Sequence, residues 1–302
     1  MPLLAALLVF AATPEPATKV QDAYPFISPD GGTLLFQSTR SGRWALWKAN
    51  ADGSKPHIFL DPGDDPVTPS WSPDGALIAY AATVDGQSQL FVVNADGSDR
   101  RQLTATPGDN SHPHFAMTGR LFFNSARATP DPAADWSDQH HDVYSVKADG
   151  SDLKRHTDCK TVCTFASLSP DGQYLAFRKV LKSQGRDWAQ QDIAVNSEIF
   201  VKRLCTGKER NLSSDPAFDG WPVWTPDSKW IVFASARGGR PFAGEIYAVR
   251  PEGGEPVKLT EDAWSNAQPS VSPDGKTLLT YRTIETDTVE FGHIGRMTLS
   301  LP

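Results

Sequence analysis

The sequence predicts an all-β fold, a six-bladed β-propeller of four-stranded antiparallel blades, on three observations. A Ser-Pro-Asp-Gly turn recurs at Ser28, Ser72, Ser169 and Ser272, with worn copies at Ala116–Gly119 and Thr225–Ser228. The six turn positions, 28, 72, 116, 169, 225 and 272, lie 44 to 56 residues apart and account for nearly all of the 302 residues. Between them the apolar residues come in short runs with almost no sustained helical period. A unit of this length cannot bury both of its faces alone, so the units must stack around an axis.

Each unit reads the same way. A short run ending in Ile27, Trp71, Phe115, Leu168, Trp224 or Val271 supplies the first strand. Proline followed by Asp-Gly then fixes one φ and frees the next, which is hairpin chemistry. Runs such as "LIAY", "RLFF", "YLAF" and "WIVF" give a second strand, and "QLFVVN", "DVYSVK", "EIFVKR" and "EIYAVR" a third. A second hairpin turn, "ADGS", stands at Ala51, Ala95 and Ala148, and a short fourth strand ends in "LT" or "LS". The sixth unit supplies strands near Gln268–Ser272, Lys276–Thr283 and His293–Leu299, and the sequence stops at Pro302 before a fourth. The segment Thr18–Gln21 is expected to complete that blade, with Pro14 and Pro16 limiting its backward extension because they lack amide hydrogens. Residues 1–17 then form a signal-peptide remnant or N-terminal extension, and 18–302 a single propeller.

The run "WSPDG…IAY…LFVVNADGSDRRQLT", from Trp71 to Thr104, resembles a blade of the TolB-like propellers, relatives of the WD-repeat proteins. The resemblance extends from Tyr24 to the C-terminus and is specific for fold, since propellers host many activities. It implies export to the periplasm or beyond. The α/β domain that precedes the propeller in TolB itself is not expected here, so contact with the peptidoglycan-associated lipoprotein Pal is not carried over.

Composition narrows the partners. A formal net charge of −7 repels phosphate backbones and anionic headgroups, which argues against nucleic acid and membrane surfaces. "PLLAALLVFAA" at Pro2–Ala12 is apolar but too short to span a bilayer. It reads as the apolar region of a secretory signal, although it lacks a positive leader and a clean cleavage site; a buried outer strand or a mis-assigned start codon are the other readings. Membrane insertion is not expected, and the propeller is expected to be a monomer. Cys159 and Cys163 lie between units three and four, whereas Cys205 falls in a turn at the opposite end of a blade. A bridge needs Cα atoms within about 7 Å, so Cys159 pairs with Cys163 or both remain thiols.

Function is expected on the face opposite the uniform hairpin turns, where loop length varies. Two long neighbouring insertions, Ala126–Asp142 and Lys179–Ser197, each carry an Asp-Trp pair. The ligand-binding candidates are Trp136, His140, His141, Arg186, Asp187 and Trp188, with tryptophans that either grip a ligand or fold down onto the rim. Asp22, Asp65, Asp109, Asn110, His112, His114, Asp219 and Asn266 are expected to line the channel mouth, or else to cap and turn the backbone as Asp and Asn commonly do. His112, His114, His140 and His141 invite a metal reading, but no metalloprotease spacing accompanies them, and neither a metal nor a cofactor is expected. A nucleophile elbow and a phosphate-binding glycine loop are also missing from the sequence. The expected function is that of an exported, non-catalytic propeller binding a protein segment or polysaccharide. The alternative is a small lyase or hydrolase acting on carbohydrate or peptide from scattered loop acids and histidines.

Overall fold

The computed structural model describes residues 20–131, 140–182, 196–238, 244–261, 264–286 and 289–302. It is an all-β, six-bladed propeller. Blade 1 holds β1 (Asp22–Ile27), β2 (Thr33–Ser38), β3 (Ala45–Asn50) and β4 (His57–Leu60). Blade 2 holds β5 (Val67–Trp71), β6 (Leu77–Val84), β7 (Gln87–Asn94) and β8 (Arg101–Gln102). Blade 3 holds β9 (Asn110–Phe115), β10 (Arg120–Ser125), β11 (Asp142–Lys147) and β12 (Lys154–Arg155). Blade 4 holds β13 (Cys163–Leu168), β14 (Tyr174–Lys182), β15 (Asn196–Arg203) and β16 (Glu209–Asn211). Blade 5 holds β17 (Asp219–Trp224), β18 (Ile231–Ser235), β19 (Glu245–Val249) and β20 (Val257–Lys258). Blade 6 holds three strands among the described residues, β21 (Ser265–Val271), β22 (Thr277–Thr286) and β23 (Val289–Thr298).

The turn that repeats in sequence is a small hydrogen-bonded machine. Ser72 Oγ donates to Asp74 Oδ1 at 2.6 Å, and Asp74 Oδ1 also accepts from the Ala76 amide at 3.0 Å. Ser72 Oγ in turn accepts from the Leu77 amide at 2.8 Å. The same bonds recur around Ser28, Ser169, Thr225 and Ser272. Gly75 closes the turn at φ 71°, a left-handed value that glycine takes without a Cβ penalty; in the worn copy Ser228 adopts it at 61°.

The "LT" and "LS" endings, and the His156-Thr157 pair that replaces them in blade 3, are latches. Thr104 Oγ1 donates to Gln89 Oε1 and accepts from the Leu90 amide, at 2.8 and 2.9 Å. Thr157 with Asp142, Ser213 with Glu198, and Thr260 with Glu245 repeat the arrangement. Each latch ties the short fourth strand to the start of the third, where few ladder bonds are available.

The hydrophobic core is divided into slabs between consecutive blades. Ala79, Leu90, Phe115, Leu121 and Phe123 fill the space between blades 2 and 3, and Ile199, Trp224, Ile231 and Phe233 that between blades 4 and 5. Between blades 6 and 1, Ile27, Leu34, Phe36 and Ala49 pack on Leu279. The ring therefore closes by the same side-to-side burial that joins every other pair. A parallel bridge between Gln21 and Gly292 of β23 accompanies it, matching bridges His141–Val162 and Ser197–Phe218 between blades 3, 4 and 5. Of the expected closing segment, Thr18 and Lys19 lie outside the described residues. Cys159 and Cys163 are disulfide-bonded with Cα atoms 6.2 Å apart, and Cys205 is a free, exposed thiol.

Candidate functional site: an axial channel closed at its waist

Every first strand carries a bulge at one position, and the residue there has a left-handed backbone. These residues are Tyr24, Thr68, His112, Phe165, Trp221 and Gln268, with φ between 48° and 54°. Each lies four residues before the turn, and in five of the six a proline follows: Pro25, Pro69, Pro113, Pro222 and Pro269. Proline fits a bulge because it has no amide to offer the ladder. The left-handed φ is unfavourable for residues with a Cβ, most of all for β-branched Thr68. Six such residues form one ring around the axis.

That ring is a plug. The indole N–H of Trp221 donates to the Tyr24 hydroxyl at 3.2 Å, and the same hydroxyl shares a hydrogen bond with His112 Nε2 at 3.2 Å. The other ring nitrogen, His112 Nδ1, shares a hydrogen bond with Ser111 Oγ at 3.2 Å, and that oxygen also accepts from Asn124 at 2.7 Å. Blades 1, 3 and 5 are thus joined across the channel through a single phenol. Phe165 presses edge-on against His112 at 4.4 Å between ring centres and lies 5.2 Å from Trp221. The Tyr24 amide donates to Gln268 Oε1 at 3.0 Å, which draws in blade 6.

Burial governs the charges here. It pushes the Tyr24 phenol up to about 12, and it lowers His112 to about 3, helped by the neighbouring His141 and Arg178. His114 is lowered to about 4 by burial alone, and His141 to about 4 chiefly by burial. Tyr24, His112 and Trp221 keep partial exposure, but they line the inner cavity, so that exposure does not solvate them as the outer surface would. Arg178, on β14, lies over Phe165 and Phe218 at 5.7 and 4.7 Å and is lowered to about 10 by burial.

Beyond the plug the channel widens toward the hairpin turns. A chamber of about 90 Å³ lies among the plug residues, the prolines and the next ring, which includes Phe26, His114, Ser167, Val223 and Ser270. A funnel of about 350 Å³ follows, walled by Phe26, Trp71, His114, Val223 and Trp224. Its rim is Pro29, Pro73, Met117, Pro170, Pro226 and Pro273, one from each turn.

Several sequence expectations change against this geometry. His112 and His114 are not at an acidic mouth: the bulge turns both inward, one into the plug and one into the funnel wall. Asp22, Asn110, Asp219 and Asn266 are buried, and each is held by an arginine of the same blade. Arg40 binds Asp22 at 2.5 Å, Arg127 donates to Asn110 at 2.8 Å, Arg237 pairs with Asp219 at 3.3 Å, and Arg282 donates to Asn266 at 3.2 Å. They anchor first strands to the ends of second strands. Asp109 caps the Ser88 amide at 2.7 Å, and Asp65 is exposed in a left-handed turn position. His141 is 4% exposed and belongs to the bridge between blades 3 and 4; it is not on a rim. His140 exchanges hydrogen bonds with Thr129 through its backbone. Trp136, Arg186, Asp187 and Trp188 lie outside the described residues. Among the described residues no group of three or more His, Cys, Asp or Glu side chains could hold a metal ion, and no helix is long and apolar enough to cross a membrane.

The sequence reading missed Tyr24, Thr68, Phe165, Trp221 and Gln268. A signal was present: proline three residues before the turn in five units marks a strand interior that cannot be regular.

Comparison with known proteins follows the fold. Residues 62–195 and 188–300 match the model of the TolB beta propeller domain. The chain is 30% identical over 116 residues to the uncharacterized peptidase YuxL of Bacillus subtilis, covering 38% of this chain and 16% of that protein. It is 28% identical over 134 residues to a TolB homolog of Chlorobium luteolum, covering 44% of this chain and 27% of the relative. The chain thus matches about a quarter or less of the length of these relatives. The crystal structure of TolB from Acinetobacter baumannii superposes with a TM-score of 0.60 at 18% identity, over 77% of this chain and 52% of that one. With its repeats, its six blades and a family match over most of its length, the chain belongs to the TolB β-propeller domain family.

Proposed function

We infer that this protein is an exported, non-catalytic propeller that holds an extended protein segment at its axial channel. The observation that carries this reading is the blind, apolar funnel of about 350 Å³, a size in the range of ligand pockets. Prolines with aromatic and aliphatic side chains make up most of its wall and rim, and Ser72, Ser167, Ser270 and His114 are too few to pair the hydroxyls of a polysaccharide. The depth suits a side chain or two of a peptide, with the plug as a floor. Family membership supports export, and the apolar stretch near the N-terminus supports it further. The channel histidines are neutral, buried and already bonded, so they favour packing over acid-base work. The loop residues Trp136, Arg186, Asp187 and Trp188 remain proposals for a contact on the opposite face.

Peptide selection on the immobilised full chain tests the reading. Peptides recovered from a random library should lose retention at least tenfold on Val223→Asp, which places a charge in the funnel wall, provided its thermal midpoint stays near that of the parent. Equal retention by both proteins, or no recovered peptide, would overturn it.

A further inference from the structure

Every blade gives the funnel one apolar wall residue, Ile27, Trp71, Phe115, Leu168, Trp224 or Val271, but the charge on its rim is uneven. Each of the four Ser-Pro-Asp-Gly turns sets one carboxylate beside its rim proline, Asp30, Asp74, Asp171 and Asp274, and the worn Thr-Pro-Asp-Ser copy adds Asp227. On blades 5 and 6 a lysine follows the turn. Lys229 lies 3.6 Å from Asp227, and the Lys276 charge acts on Asp274. On blades 1, 2 and 4 the corresponding residues are Gly32, Ala76 and Gln173, which carry no charge. On blade 3 the residue is Arg120, whose guanidinium turns away to Asp152 at 2.7 Å and to Ser145. The rim is therefore acidic over the arc from blade 1 to blade 4, with Met117, 65% exposed, at its centre.

The turn itself keeps these charges in place. Ser28 and Gly32 hold Asp30 below the ordinary carboxylate range, and Ser72 and Ala76 do the same to Asp74. Each uses Oδ1 for the turn, and no partner engages Oδ2 of Asp30 or Asp74 among the described residues. The two wall tryptophans are held differently: Trp224 donates to the Ser167 carbonyl at 3.0 Å, whereas the Trp71 indole N–H is buried and finds no acceptor, so Trp71 offers the funnel its ring and not its N–H.

Resting on the reading of the funnel as a peptide site, we propose that its ligand is a cationic peptide segment. An apolar side chain or proline enters the funnel, and an adjacent lysine or arginine sits over the arc of Asp30, Asp74 and Asp171. The apolar wall supplies contact area, and the arc supplies orientation and a salt-sensitive attraction. A long aliphatic stem suits Met117, whose thioether adapts to irregular shapes.

The test uses two fluorescein-labelled, end-blocked peptides. One carries a lysine flanked by leucine and prolines; its counterpart has glutamate in place of the lysine. Anisotropy is measured on the full chain, on Val223→Asp, and on the triple variant Asp30→Asn, Asp74→Asn, Asp171→Asn. Asparagine retains the Oδ1 acceptor, so the turns and the thermal midpoint should be kept. The lysine peptide should bind the parent at least tenfold more tightly than the glutamate peptide. That preference should disappear in the triple variant and shrink as sodium chloride rises from 50 to 500 mM, and Val223→Asp should abolish binding of both. Equal binding of both peptides, lost on Val223→Asp, overturns the charge selectivity and leaves the peptide site standing. Binding of neither peptide, with no shift in tryptophan emission from Trp71 and Trp224, overturns both.

Discussion

Two rings of six residues encircle the same axis and are built on opposite plans. The turn ring repeats one set of residues: serine or threonine donates to aspartate in five of six blades, and only blade 3, with Ala116 and Thr118, departs from it. The waist ring repeats one backbone, a left-handed bulge, but fills it with six different side chains: Tyr24, Thr68, His112, Phe165, Trp221 and Gln268. The difference teaches where information sits in a repeat protein. Residues that shape the hairpin are held constant because the bonds are local to each blade. Residues at the axis meet one another across the channel, so a closed plug needs six unlike partners; six copies of one side chain would clash or leave a hole.

Acid should separate the two rings most strongly. His112, His114 and His141 have folded values of about 3 to 4, below the unfolded value of 6.5. As pH falls below 6.5 the unfolded chain takes up protons that the folded chain refuses, so stability is lost from about pH 6.5 downward. At pH 5 the loss is on the order of 2 kcal/mol for each buried imidazole. Asp219, raised to about 6 from 3.8 by burial, acts the other way between those values, because the folded chain then holds the extra proton. Asp109 is raised by burial as well, and His156 is lowered to about 4 chiefly by burial, so four lowered imidazoles stand against two raised carboxyls, and denaturant unfolding at pH 7 and pH 5 should show a net drop. His112→Gln should shrink that drop, and Asp74→Asn should not, since Asp74 titrates below the usual range. An equal pH response in all three proteins would erase the distinction between the rings.

Tyr24→Phe probes the waist alone. It removes the hydroxyl that accepts from Trp221 and shares a hydrogen bond with His112, leaving two polar groups unpaired in a buried site. The expected cost is about 1–3 kcal/mol, read as a lower denaturation midpoint with the slope unchanged. A neutral result would mean that channel water replaces the phenol. Ser72→Ala probes one turn and should cost about 1 kcal/mol, because the Leu77 amide loses its acceptor. A larger loss than for Tyr24→Phe would reverse the ranking of the two rings.

The smallest effect sharpens the comparison from the other side. Thr68 is β-branched at φ 52°, and its hydroxyl has no partner among the described residues. Asparagine tolerates that backbone better, so Thr68→Asn should stabilise by a few tenths of a kcal/mol and raise the thermal midpoint by about a degree. A lower midpoint would show that Thr68 fits the plug better than its backbone suggests.

Local chemistry determined by itself that this chain forms blades. Ser72, Asp74 and Gly75 close their turn with bonds that span only a few residues, so their sequence pattern is sufficient to read the hairpin. Thr104 likewise marks the end of a fourth strand. The channel was not legible in that way. Asp22 and Asp219 look like mouth residues until Arg40 and Arg237 reach them from just past the end of the next strand and cover them. His112 looks like a ligand until Tyr24, 88 residues away, closes on it from across the axis. Alternation along a strand tells which side a residue faces, but a bulge resets that alternation, and its effect depends on what the other five blades bring. Only the closed ring decides which side chains meet at the waist, because distance along the chain says nothing about neighbours across an axis.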